Sequence, residues 1–283
     1  MAQNVNLKNE YVKFIDEYQK LGHMVRVFNE QDCKYYLPHQ AVIREGSTTT
    51  KLRVVFNASA KTSNGRSLND VMYTGPKLQR DIFDIILKWR LWKFVVTADV
   101  EKMFRQIKVH KEDQQYQNIL WRNDSKKPLT VFRLNTVTYG TASAPFLAVR
   151  SLFKIAEDCN EELIKKVIEE NFYMDDLMTG ADSVEECSEI KQKIEQHLTK
   201  FGFHLRKWLT NNSSILKDNV LQASEENYMI NSDEAVKTLG LKWDPKRDEF
   251  KFDIDLKENQ KITKRQILSN LALYSIHLGG YLQ

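Results

Sequence analysis

The chain predicts an α+β fold, and three observations carry that class. Apolar runs of strand length alternate with apolar positions at helical spacing, in an order that mixes β-hairpins and helices. Ser183 and Glu186 form an S-x-x-E capping box ahead of Val184, Cys187, Ile190, Ile194, Leu198 and Phe201, which line one helical face. Tyr173-Met174-Asp175-Asp176 sits between the apolar flanks Asn171-Phe172 and Leu177-Met178, which reads as a β-hairpin with acids near its tip.

The other elements follow in order. Leu7 to Leu21 has helical spacing (Tyr11, Phe14, Ile15, Tyr18, Leu21), with Gly22 as its stop. Tyr35 to Ile43 and Leu52 to Phe56 read as strands, joined by the loop Arg44 to Thr50. Pro76 to Trp92 reads as a helix that leads into Phe94-Val95-Val96, a buried-strand pattern ending at Asp99. Pro145 to Ala156 is apolar on most sides and predicts a buried helix. Phe203 to Leu209 predicts a strand beyond Gly202. Val236 to Trp243 and Glu249 to Ile254 predict a hairpin turned at Pro245-Lys246-Arg247, and a last helix starts at Thr263.

Composition narrows the class. At 283 residues, with 42% hydrophobic and 28% charged side chains, the chain has the make-up of a soluble globular protein. A net charge of +4 permits nucleic-acid binding without demanding it, because local patches matter more than the total. Cys33, Cys159 and Cys187 are far apart and odd in number, so they predict neither a disulfide framework nor a C-x-x-C ligand pair. They point to a reducing compartment, and no apolar run is long enough to span a bilayer. The expectation is an intracellular protein with no membrane partner.

Chemistry enters with the carboxylates. Two adjacent aspartates at a hairpin tip repel each other and gain little by packing, and a divalent cation between them would explain the pair. A solvated acidic turn explains the four residues alone equally well. A third carboxylate, Asp99, ends a buried strand, where rigid backbone can aim it at a neighbouring hairpin. Three such acids could share two Mg²⁺ ions roughly 3.5–4 Å apart, the arrangement that serves phosphoryl transfer. Side chains alternate along a strand, so Asp175 and Asp176 are expected to differ. Asp175 is expected to stand with Asp99 on the metals, with Asp176 in support.

The same residues resemble a known family. Thr97 to Ile107 looks like the first palm motif of reverse transcriptases. Tyr139 to Phe146 looks like the second, and Tyr173 to Asp176 matches YxDD. Lys51 to Ala60 resembles the fingers motif. In its details that motif is closest to the BEL/Pao group of LTR retrotransposons, as are Tyr36 to His39, Gly202 to Trp208 and Leu239 to Trp243, and the likeness runs from about Tyr11 to Ser269.

The resemblance implies a right-hand polymerase fold with fingers, a palm of antiparallel sheet packed on helices, and a truncated thumb. It divides the chain into an N-terminal helical extension (1–30), fingers and palm (31–215), and a primer-grip hairpin with the start of the thumb (216–283). Asp99, Asp175 and Asp176 would be catalytic and hold two Mg²⁺ ions (Mn²⁺ as a substitute), with the Val100 carbonyl as a further metal ligand. Lys207 would donate a proton to the departing pyrophosphate, against a plain surface lysine as the alternative. Lys51 and Arg53 would contact the triphosphate of a dNTP. Phe104 would select deoxyribose, and Tyr139 and Gly140 would line the nascent base pair. Leu239, Gly240, Leu241 and Trp243 would form the primer grip.

Template–primer, of RNA or DNA, would be the macromolecular partner, in a cytoplasmic element particle or the nucleus. Tyr139 stands where retroviral relatives have glutamine, Ala144 where some have serine, and Asn57 where relatives have an acid. Ala272 to Gly280 lacks the Asp-Pro-Leu-Gly that follows this helix in the family. A fragment of a Pol polyprotein is therefore expected, active or a remnant that at most binds nucleic acid.

Overall fold

The structure is a computed structural model that describes residues 5–43, 52–124, 126–219, 236–238 and 241–251. In chain order the elements begin with α1 (Val5–Lys20), β1 (Met24–Arg26), β2 (His39–Ile43), β3 (Leu52–Phe56) and α2 (Ile82–Leu91). They continue with β4 (Phe94–Val100), α3 (Met103–Gln106), α4 (Lys111–Gln114), β5 (Asn118–Trp121), β6 (Thr130–Leu134) and α5 (Ala144–Glu157). Then come α6 (Glu162–Glu170), β7 (Phe172–Tyr173), β8 (Asp176–Ala181), α7 (Val184–Thr199) and β9 (Leu205–Thr210). The last are β10 (Val236–Thr238), β11 (Leu241–Asp244) and β12 (Glu249–Lys251). This is the mixed helix and antiparallel sheet expected of an α+β chain. Among the described residues no helix is long and apolar enough to cross a membrane.

The chain divides into two compact units that interleave in sequence. One comprises 1–79 and 102–155, the other 80–101 and 156–283.

In the first unit, β1, β6 and β5 form an antiparallel sheet, and β2 pairs with β3 from His39↔Phe56 to Ile43↔Leu52. The helix expected as an N-terminal extension packs into this unit's core. Tyr11, Ile15 and Tyr18 are spaced to share one helical face, and they bury against Leu37, Val54, Phe56, Ile119 and Leu134. Tyr11 also stacks on Trp121 at 4.8 Å between ring centroids, and its hydroxyl bonds His39 Nδ1. The strand expected from Tyr35 starts only at His39; before it, Tyr36 makes a lone bridge to Asn118.

In the second unit the sheet runs β7-β8-β4-β9, antiparallel throughout. Ile85 and Trp89 of α2 pack on Val95, Met178 and Leu209, and Trp243 of β11 completes that cluster. Helix α7 packs on β4 and β8. Its Ser183 cap accepts from the Glu186 amide at 3.2 Å, as the capping box predicts, although the helix ends at Thr199 and leaves Phe201 outside.

Helix α2 is shorter than the predicted Pro76–Trp92. Asp81 is its N-cap and accepts from the Phe83 amide, so the preceding residues are not helical. The segment from Val236 to Trp243 is two strands, not one. Thr238 pairs with Leu241, and β11 then turns at Pro245–Asp248 into β12, where Asp244 Oδ1 accepts from the amides of Lys246 and Arg247. The helix predicted from Thr263, the loop Arg44 to Thr50, and Ile254 lie outside the described residues.

Candidate active site

Strand β4 supplies the first acid. Its Phe94–Ala98 stretch is apolar or β-branched and almost wholly buried, so the backbone that carries Asp99 is fixed on both sides by neighbouring strands. Asp99 lies within the strand, one residue before its end at Val100.

The hairpin β7–β8 supplies the other two. Tyr173 pairs with Asp176, which leaves Met174 and Asp175 as a two-residue loop. Met174 has φ +56, the left-handed conformation that tight hairpin loops require. The Val100 amide donates to the Asp175 carbonyl at 2.7 Å and ties the loop to the end of β4.

Register refines the geometry. Asp99 pairs directly with Asp176, so those two share a face of the sheet, and Asp175 stands in the turn beside them. Alternation alone put both hairpin acids on a strand, whereas only Asp176 lies on one. Because the loop takes Met174 and Asp175, alternation starts at Asp176 instead.

Electrostatics shows the crowding. Burial, and then the charges of Asp175 and Asp99, push the Asp176 carboxyl up to about 6, while Lys207 pulls it down. Asp99 Oδ2 accepts from Lys207 Nζ at 3.0 Å, whereas Asp99 Oδ1 is buried with no hydrogen-bond partner. A buried carboxylate oxygen left unbonded, beside two further acids, is a donor set that fits a divalent cation. Among the described residues no three His, Cys, Asp or Glu side chains are gathered closely enough to hold an ion as they stand.

Lys207 reaches Asp99 from a β-bulge. The β4–β9 pairs Thr97↔Leu209 and Asp99↔Arg206 leave Lys207 and Trp208 opposite Ala98 alone. Lys207 takes φ +54, which costs an L-residue roughly 1–2 kcal/mol. Bulges re-aim side chains beside active sites, and here the result is the ion pair to Asp99. Beside it, Arg206 pairs with Glu101 at 3.0 Å. Neither the bulge nor the Arg206–Glu101 pair is signalled in the sequence, since both depend on how β9 lines up with β4 and the residue after it.

In the first unit, Arg53 lies exposed on β3, opposite Val42. Phe104 is buried and packs on the Tyr139 ring at 4.6 Å. Gly140 has φ +96, and a Cβ there would stand 2.1 Å from the Phe56 carbonyl oxygen, so only glycine fits. Asn69 secures that loop. Its amide donates to the Gly140 carbonyl at 2.9 Å, and its Oδ1 accepts from the Ala142 amide at 2.8 Å. Asn69 was not foreseen; its only sequence signal is an Asn beside Asp70 in a turn-rich segment.

Within the second unit, Trp243 is fully buried against Trp89, and its indole N–H donates to Asp248 at 3.0 Å. Asp248 also takes a bidentate ion pair from Arg90 and a bond from Asn211. Trp243 therefore anchors the hairpin and presents no surface to a primer. Leu241 lies on β11, while Lys51, Leu239 and Gly240 lie outside the described residues.

Among curated proteins, none matches the chain. The family model described as reverse transcriptase (RNA-dependent DNA polymerase) matches residues 44–242, well over half of the 283 residues. That span contains β4 with Asp99, the acidic hairpin and the bulged strand with Lys207. The chain thus belongs to the reverse transcriptase family.

Proposed function

We propose that this chain extends a primer on an RNA or DNA template by adding deoxynucleotides, and that it derives from the Pol polyprotein of a BEL/Pao-type LTR retrotransposon. The observation that carries the reading is the meeting of Asp99, Asp175 and Asp176 at one end of the β8-β4-β9 sheet, with Asp99 Oδ1 buried and unbonded.

Asp99, Asp175 and Asp176, with the Val100 carbonyl, would hold two Mg²⁺ ions. When bound, these ions neutralise charge on the attacking and leaving oxygens. The carboxylates would fix where that positive charge sits, Asp99 and Asp176 from strand backbone and Asp175 from the loop tied to β4. The primer's 3′ hydroxyl loses its proton to solvent as its oxygen bonds to the α-phosphorus of the dNTP and the bond to pyrophosphate breaks. Lys207, which the ion pair to Asp99 brings to the acidic cluster, would give a proton to the leaving group. Lys51 and Arg53 take the triphosphate, Phe104 selects deoxyribose, and Tyr139 and Gly140 line the base pair. Leu239, Gly240, Leu241 and Trp243 form the primer grip. The setting is a cytoplasmic element particle or the nucleus.

Primer extension on an RNA template with dNTPs and Mg²⁺, run beside Asp175→Asn, tests this. Incorporation that the variant lacks is expected. Equal signal from both proteins would remove the catalytic reading and leave the nucleic-acid-binding remnant.

A further inference from the structure

We propose that Lys191, a lysine buried in α7 behind the sheet, is a positioning residue that sets the bulge from which Lys207 reaches Asp99. Its functional consequence rests on the polymerase reading; its structural part does not.

Lys191 is 1% exposed, on a helix whose other buried positions are Cys187, Ile190, Ile194 and Leu198. Packing alone would be served by leucine or methionine there, because burying an ammonium costs solvation that an ion pair seldom fully repays. Its Nζ lies 3.4 Å from Glu195 Oε2, one helical turn on. The same ammonium stands 5.0 Å from the centroid of the Trp208 ring. A cation over an indole face is attracted by the ring's quadrupole, more so where water is excluded.

Trp208 is the second residue of the bulge and Lys207 is the first. Lys207 turns to Asp99, whereas Trp208, fully buried, turns to Lys191 of the helix. The left-handed backbone at Lys207 is unfavourable for an L-residue, so regular pairing would win unless both flanks were held. Arg206 is held by Glu101 on one flank. Trp208 is held by Lys191 on the other. A relaxed strand would carry Lys207 away from Asp99, because a one-residue slip moves every side chain to the opposite face.

The test uses side-chain ¹⁵N NMR of the full chain, with the Lys207 ammonium signal assigned by its loss in Lys207→Gln. Asp99→Asn should shift that signal in the parent protein. Lys191→Met should shift it by itself to the Asp99→Asn position, after which adding Asp99→Asn should change nothing further. Lys191→Arg should restore the parent signal. If Lys191→Met fails to fold, Trp208→Leu is expected to give the same displacement with Lys191 intact.

A Lys207 signal that stays at its parent position and still responds to Asp99→Asn, in whichever variant folds, would overturn the proposal and make Lys191 a core residue only. Primer extension is the second arm. Lys191→Met is expected to lower kcat several-fold at unchanged KM for dNTP, with Lys191→Arg recovering it. A parent protein without incorporation would sink the polymerase reading and leave the NMR result standing.

Discussion

Asp99 and Asp176 face each other as directly paired residues across β4 and β8, two acids on one face of an antiparallel ladder. Paired Cα atoms in such a ladder stand about 4.5–5.5 Å apart, and like charges directly opposite destabilise it. Lys207 offsets part of that repulsion from the bulge in β9.

The first prediction concerns pH. The Asp176 carboxyl is raised from 3.8 to about 6, so the folded protein holds this proton more tightly than the unfolded chain does. The stability this group contributes is whole below pH 3.8 and is lost as the pH rises through about 6. Urea unfolding in a metal chelator should show a loss of about 1–2 kcal/mol between pH 4 and 8, a range already discounted for solvent screening. Asp176→Asn should flatten that dependence and be the more stable protein at pH 8. Parallel curves for the two proteins would contradict the assignment.

Activity should fall unevenly among variants of the site. Asp99→Asn and Asp175→Asn are expected to lower primer extension by about 10²–10³-fold, the scale seen when one preorganised electrostatic group is removed. Both should keep the parent's urea midpoint or exceed it, since each removes a crowded charge. A variant that unfolds would show that its carboxylate also holds the fold.

Gly140→Ala should destabilise the first unit. The new Cβ would sit 2.1 Å from the Phe56 carbonyl oxygen at a φ of +96°, so both a clash and backbone strain oppose it. A cost of about 2–4 kcal/mol is expected by thermal or urea unfolding. A neutral result would mean that the 140–142 loop moves away from β3 freely, despite the Asn69 clamp.

Trp243→Ala should cost about 3–5 kcal/mol, the range for truncating a buried large aromatic. Trp243→Phe keeps most of the packing on Trp89 but loses the bond to Asp248, and about 1 kcal/mol is expected for it. The ratio of the two losses, measured by urea unfolding, separates packing from hydrogen bonding at this anchor.

A gentler probe is the helix cap. Ser183→Ala removes the acceptor for the Glu186 amide and should lower stability by about 1 kcal/mol, with no effect on primer extension. A drop in activity would tie α7 more closely to the site than its capping does.

Much of this protein is written in local patterns. The cap at Ser183, the strand Leu52–Phe56, the turn at Pro245 and the hairpin at Tyr173 each depend on residues within a few positions of one another, so short-range spacing signals them. The amphipathic α6, with Ile164, Val167 and Ile168 buried on one face, is equally local. The three aspartates were recognisable for the same reason: Asp99 sits in one short motif, and Asp175 and Asp176 share another.

Tertiary structure decided what faces what. That Asp176 rather than Asp175 stands opposite Asp99 follows from β4–β8 register and a two-residue loop. That Lys207 reaches Asp99 follows from an extra residue in β9, and that Trp243 is an anchor follows from its burial against Trp89. Sequence by itself determined which chemical groups this chain carries and the local elements that hold them. Register, bulge and burial are relations between strands far apart in the chain, and only the packed sheet sets them.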